Sequence, residues 1–278
     1  MRFFALLLAI VLHAELSFAQ SFFLNKGTIT EKQATIDILR LNQSSIFDSS
    51  NAVISISENQ ANQLIISNSF QRNLTFQIYK TDDLILSELL KTGASKTIEI
   101  PSLTKGVYRY QLKNGIEAQS GVKGLLLVGV KVDFVWRIKE LDMDYAKAFL
   151  DDKLSNTDYF PERFSINGFI YPQTMQDVKT KVNCKVGDTV DILIFNAGYM
   201  PHSMHVHGYH VLITESDSNP NQTGWSKDTF PVQKDRYCFI RLIPDKPGKY
   251  PVHDHYMGSV TVEGNYPGGM ITMLDVSN

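Results

Sequence analysis

The chain has 278 residues, enough for two domains with cores of their own, and it is 43% hydrophobic and 20% charged with a net charge of -2. That balance is ordinary for a soluble globular protein. Without a basic patch or a sustained charge run, the sequence gives neither nucleic acid nor an anionic membrane a surface that would attract it.

The first nineteen residues read as a signal peptide. Arg2 supplies the charge, residues 3–12 the apolar run, and Ser17-Phe18-Ala19 a small-x-small cleavage site before Gln20. The run is too short for a permanent bilayer helix, and no other segment approaches the ~20 apolar residues that one needs. The mature chain, without His13, is therefore expected in the periplasm or outside the cell. Asn42, Asn73 and Asn221 open glycosylation sequons, which matter only in a eukaryotic host.

Short runs rich in β-branched and aromatic residues then recur between turn signals, at 52–56, 64–67, 74–79, 97–100, 108–112 and 125–132. After a polar middle they resume at 164–166, 189–195, 203–213, 238–243 and 271–274. Strands at this spacing, punctuated by Gly, Pro, Asn and Asp, argue for all-β sandwiches or barrels. One helix is expected near 143–151 from its Ala and Leu content, inside a segment, 131–163, that reads as the connection between two halves. Cys184 and Cys238 both fall in expected strands. A disulfide and two buried thiols are equally open readings, since pairing depends on a distance the sequence does not contain.

The halves resemble one another. Aligning Ile65-Ile66-Ser67-Asn68 with Leu193-Ile194-Phe195-Asn196 brings Gln77-Ile78-Tyr79 onto His205-Val206-His207. Aligning Lys105-Gly106-Val107-Tyr108 with Pro247-Gly248-Lys249-Tyr250 brings Gln111-Leu112-Lys113 onto His253-Asp254-His255. The chain then reads as two copies of one sandwich, and only the second keeps imidazoles.

Every histidine after the leader lies in 201–210 or 253–255. Side chains at i and i+2 of a strand share a face, so His205 pairs with His207 and His253 with His255. Four imidazoles on two strands suit copper, zinc, iron or nickel. His210 is off the face of His205 and His207. Met200, Met204, Met257, Met270 and Met273 crowd the same region, where thioethers serve either as Cu(I) ligands or as core filler. No Ser/His/Asp set and no phosphate-cradling Gly loop accompanies them.

From Phe164-Ser165-Ile166-Asn167-Gly168 through His202-Ser203-Met204-His205-Val206-His207-Gly208, Pro247-Gly248-Lys249-Tyr250 and His253-Asp254-His255 to Gly269-Met270, the second half resembles the C-terminal cupredoxin domain of laccase-like multicopper oxidases. The resemblance implies an all-β protein of two tandem cupredoxin-like Greek-key β-sandwich domains. Residues 20–130 would be a degenerate copy without metal ligands, and 164–278 the copper-binding copy. It further implies a type 2 copper role for His205 and type 3 roles for His207, His253 and His255, with His202 and Met270 near a type 1 site. That last site departs from the pattern. Asp254 stands where these oxidases have the thiolate, and the downstream histidine is absent. Blue copper needs a thiolate with two imidazoles, so no type 1 centre is expected, and His202 is left to hydrogen-bond Asp254. His-Asp-His does occur in the first domain of some bacterial members of the family.

The family's trinuclear cluster takes eight imidazoles, and this chain offers four, so a second copy across a twofold axis would have to complete it. Two functions stay open. One is a copper oxidoreductase with an intersubunit cluster, fed by an external electron donor. The other is a non-catalytic extracytoplasmic copper carrier or buffering protein.

Overall fold

A computed structural model describes residues 19–31, 34–113, 121–150 and 158–278. The expected signal peptide, apart from Ala19, lies outside them. Two β-sandwiches follow one another along the chain. In the first, the sheet β2(Ala34–Asn42)-β1(Gln20–Glu31)-β4(Asn62–Asn68)-β7(Ala94–Ile100) faces β3(Ile54–Ile56)-β9(Lys123–Val128)-β8(Gly106–Leu112)-β5(Leu74–Lys80)-β6(Asp83–Leu90). In the second, β11(Arg163–Ile166)-β10(Phe134–Leu141)-β13(Val190–Asn196)-β18(Tyr237–Leu242)-β15(Val211–Ser216)-β16(Ser226–Lys227) faces β12(Val182–Lys185)-β20(Ile271–Ser277)-β19(Gly248–Asp254)-β14(His202–Val206)-β17(Thr229–Val232).

The halves correspond strand for strand, and β15–β16 is added only in the second. The parallel pairs β1/β4 and β3/β9 recur as β10/β13 and β12/β20. Gln77 stands opposite Gln111 as His205 stands opposite His253, in the register that the internal alignment predicts. Even the turn is repeated. Asn68 donates from Nδ2 to the carbonyls of Arg72 and Leu90 and accepts from Phe70 N, while Asn196 donates to Met200 and Val232 and accepts from Gly198 N. An amide side chain that closes its own loop in this way is the local signal that ends both strands.

Strand alternation fills each sandwich. Phe22, Leu64, Ile66, Phe76 and Tyr110 centre the first core, and Trp136, Ile194, Met204, Val206 and Val252 the second. β9 is buried along its whole length because its outer face also packs on the second sandwich, with Leu125 and Leu127 meeting Leu193, Phe195 and Phe239. Lys123 to Asp235 at 2.6 Å and the forked Arg236 to Asp82 contact tie the polar rim of this junction.

Two differences from the sequence reading concern the strands. β1 escapes a hydrophobicity pattern because it turns mostly polar from Asn25 onward, while β2, with Ile36 and Ile38 alternating about Asp37, adds a strand beyond those expected. β10 falls in the stretch 131–163 read as a connection, yet it is a strand of the second sandwich, disguised by Arg137, Lys139 and Glu140, all buried. Of the two readings left open for Cys184 and Cys238, free thiols is the one found, on strands of opposite sheets, with Cys238 buried and Cys184 half-buried. The helix α1(Met143–Leu150) forms where expected, with Met143 and Ala146 packed on Ile36 and Ile38. Asn42 of the first sequon is buried and donates its amide to Ser50 O at 2.9 Å, which withdraws it from modification. Among the described residues no helix is long and apolar enough to cross a membrane.

Candidate metal centre

β14 alternates strictly: His202, Met204 and Val206 point into the core, while Ser203 and His205 point out. On its neighbour β19, Val252 and Asp254 point in and His253 points out. Because His205 and His253 are register partners, the two His-x-His pairs meet on one outward face. The His205 ring lies 4.7 Å from His207, 5.5 Å from His253 and 5.5 Å from His255, and His207 lies 5.1 Å from His253. His207 and His255 are exposed, and His205 and His253 half-buried.

Hydrogen bonds aim these rings. His205 Nδ1 is held by Thr229 Oγ1 at 2.8 Å and the Asp228 carbonyl at 3.1 Å, and His253 Nδ1 by the Asp254 carbonyl at 2.8 Å. Such contacts set the tautomer and leave Nε2 as the free donor atom. The Nε2 atoms of His207 and His253 face each other at 2.9 Å. Two nitrogens at that separation, each about 2.0–2.1 Å from one ion, subtend roughly 90° at it, which suits the tetragonal preference of Cu(II). Partial burial, then the neighbouring His205 and His253, hold the His207 pKa below its ordinary value and favour the neutral, ligating form. Among the described residues no three His, Cys, Asp or Glu side chains converge on a single metal position. The face therefore offers one close pair flanked by His205 and His255.

Behind this face lies a second cluster. His202 Nδ1 is 2.7 Å from Asp254 Oδ2 and its Nε2 is 2.9 Å from Glu140 Oε2, all three side chains being shut off from water. Burial opposes charging of His202, but the hydrogen bonds and charges of Asp254 and Glu140 outweigh it and push its pKa up to about 9. Glu140 is likewise pulled down to about 2 against its own burial, by His202 and by the Met200 and Tyr199 amides. Tyr159 adds its hydroxyl to Glu140 Oε1 at 2.9 Å. With both ring nitrogens donating to carboxylates, His202 has no lone pair for a metal. Met270 is fully buried in the second core, and its carbonyl accepts the Asp254 amide. Met204 is core as well, Met257 is exposed beside the site, and His210 is exposed in the turn before β15.

The sequence reading missed Glu140. The only signal for it was the alternation Trp136, Ile138, Glu140, which places the carboxylate on an inward position.

The fold and this face define a two-sandwich cupredoxin-type protein. The family model for multicopper oxidases matches residues 149–264. Among solved structures, the multicopper oxidase mgLAC is similar at TM-score 0.73 and 22% identity, covering 92% of this chain and 85% of that one. The blue copper oxidase from Nitrosomonas europaea gives 0.74 and 18% over 92% and 85% of the two chains. The copper nitrite reductase from Nitrosomonas europaea gives 0.68 and 16% over 93% of each. No curated protein matches the sequence. Residues 149–264 thus resemble multicopper oxidases, and the chain as a whole has the cupredoxin sandwich fold of the structures it matches.

Proposed function

We propose that this is an extracytoplasmic copper-binding protein. Its His205, His207, His253 and His255 hold copper in type 2 and type 3 fashion, and no type 1 blue copper forms beside them. The observation that carries the reading is the shared outward face on which His205 and His253 have their Nδ1 atoms tied back and His207 and His253 present Nε2 to one another. The similarity to a blue copper oxidase and a copper nitrite reductase selects copper among the metals that imidazole accepts. Copper at this face would pass electrons from an outside donor to a small oxidant such as dioxygen or an oxide of nitrogen. The residues of the chain hold it, orient it and leave its outer side open.

That open side is half of a site. In the first sandwich the matching positions are Gln77, Tyr79, Gln111 and Lys113, which contribute no imidazole. The remaining ligands must come from another copy of the chain, and two histidine faces across a twofold axis meet that need. A carrier that holds and hands on copper is the alternative. It is favoured by the single close pair of donors and the exposure of His207 and His255.

Metal analysis with oligomer mass separates these readings. The expected result is about three coppers per pair of chains in a dimer. One copper per monomeric chain would establish the carrier, and no copper at all would remove both. The loaded protein is also expected to lack the intense red absorption of a thiolate–copper bond; such a band would overturn the reading of Asp254.

A further inference from the structure

The buried Glu140, His202 and Asp254 cluster is left unused by the copper site as proposed, and the internal duplication provides its control. By strand register, Leu74 and Leu112 of the first sandwich occupy the places of His202 and Asp254: Leu112 lies opposite Phe76 as Asp254 lies opposite Met204. The Leu112 amide donates to the Val122 carbonyl as the Asp254 amide donates to that of Met270. An apolar pair therefore closes the same sandwich. Buried ion clusters are often replaceable as a whole by apolar side chains without loss of stability, so the sandwich architecture does not by itself call for these charges.

They are, however, bonded to the residues that flank the histidines. Asp254 Oδ1 accepts the Ser203 amide at 3.0 Å, and the Ser203 carbonyl accepts the His255 amide at 2.7 Å. The Asp254 carbonyl holds His253 Nδ1. The carboxylate is thus a strut between β14 and β19, and His202 braces it against Glu140 on β10. We infer that Glu140, His202 and Asp254 are positioning residues that fix the His253 and His255 rings for copper, an inference that rests on the four-histidine reading above.

The test transfers the first copy's apolar pair to the second, as the double variant His202→Leu/Asp254→Leu, in which Glu140 keeps the Tyr199 and Met200 amides and the Tyr159 hydroxyl, with Asp254→Asn as the milder change. The folded double variant is expected to bind Cu(II) roughly 10- to 100-fold more weakly than the wild type, the range for lost outer-shell partners. Its Cu(II) EPR spectrum should be altered. The metal-free protein should lose the protected Nδ1 proton signal of His253 in NMR. Should the double variant fail to fold, Asp254→Asn carries the same readouts with smaller expected changes. Unchanged affinity, spectrum and Nδ1 protection in a folded variant would overturn the inference. A wild type that binds no copper would instead remove the four-histidine reading, while the metal-free NMR signal would still decide whether the cluster positions His253.

Discussion

Changing His207 and His253 together to alanine is expected to weaken copper binding by roughly a thousandfold or more while moving the melting temperature little. Structural zinc sites of four ligands reach about 10–16 kcal/mol, and on that scale the loss of two imidazole ligands removes several kcal/mol of affinity. The fold has little at stake, because His207 is exposed and His253 lies on the outer face of its sheet. The pair is singled out over His205 and His255 because its Nε2 atoms alone are already at the 2.9 Å separation of neighbouring ligands. Equilibrium dialysis against copper, with a thermal melt on the same sample, measures both parts. Wild-type affinity in the double variant would place the copper elsewhere on the molecule.

Glu140→Ala is expected to have the largest effect on stability, about 3–5 kcal/mol, the usual cost of removing one partner from a buried ion pair. The Met200 and Tyr199 amides, the Tyr159 hydroxyl and His202 Nε2 would all lose their acceptor at once. The same interaction sets a pH dependence. His202 titrates at about 9 in the fold against 6.5 when free, so its stabilisation is complete below 6.5 and is lost as pH rises through 9. Glu140 titrates at about 2 against 4.5, so its contribution is present above 4.5 and is lost as pH falls through 2. Both shifts describe one coupled contact and count once, roughly 3 kcal/mol. Denaturant unfolding of the metal-free protein should thus give highest stability between the two limbs. His202→Leu should lack the alkaline limb; retention of that limb in the variant would assign it to another group.

Much of the site was legible in the sequence, because its logic is local. A strand has a period of two residues, so His-x-His places both imidazoles on one face wherever the strand lies. The inward position of Asp254 follows from the same alternation, and the pairing of β14 with β19 then brings it to His202. The duplication was legible as well, through Asn68 and Asn196, whose side chains close the same turn twice. Local patterning failed where burial and polarity part company. In β10, Arg137, Lys139 and Glu140 are buried charges, so a central strand looks like a linker. β1 turns polar from Asn25 onward and so does not stand out.

By itself, then, the sequence determined the all-β class and the shared face within each His-x-His pair, which follow from spacing along a strand, and the doubling, which follows from the internal alignment. Only the tertiary structure decided that His207 and His253 are the close pair and that Glu140, from a strand sixty-two residues earlier in the chain, completes the cluster around His202. Those outcomes depend on which strands become neighbours and in what register. That choice is made by the packing of two cores and their junction, and no stretch of the chain encodes it alone.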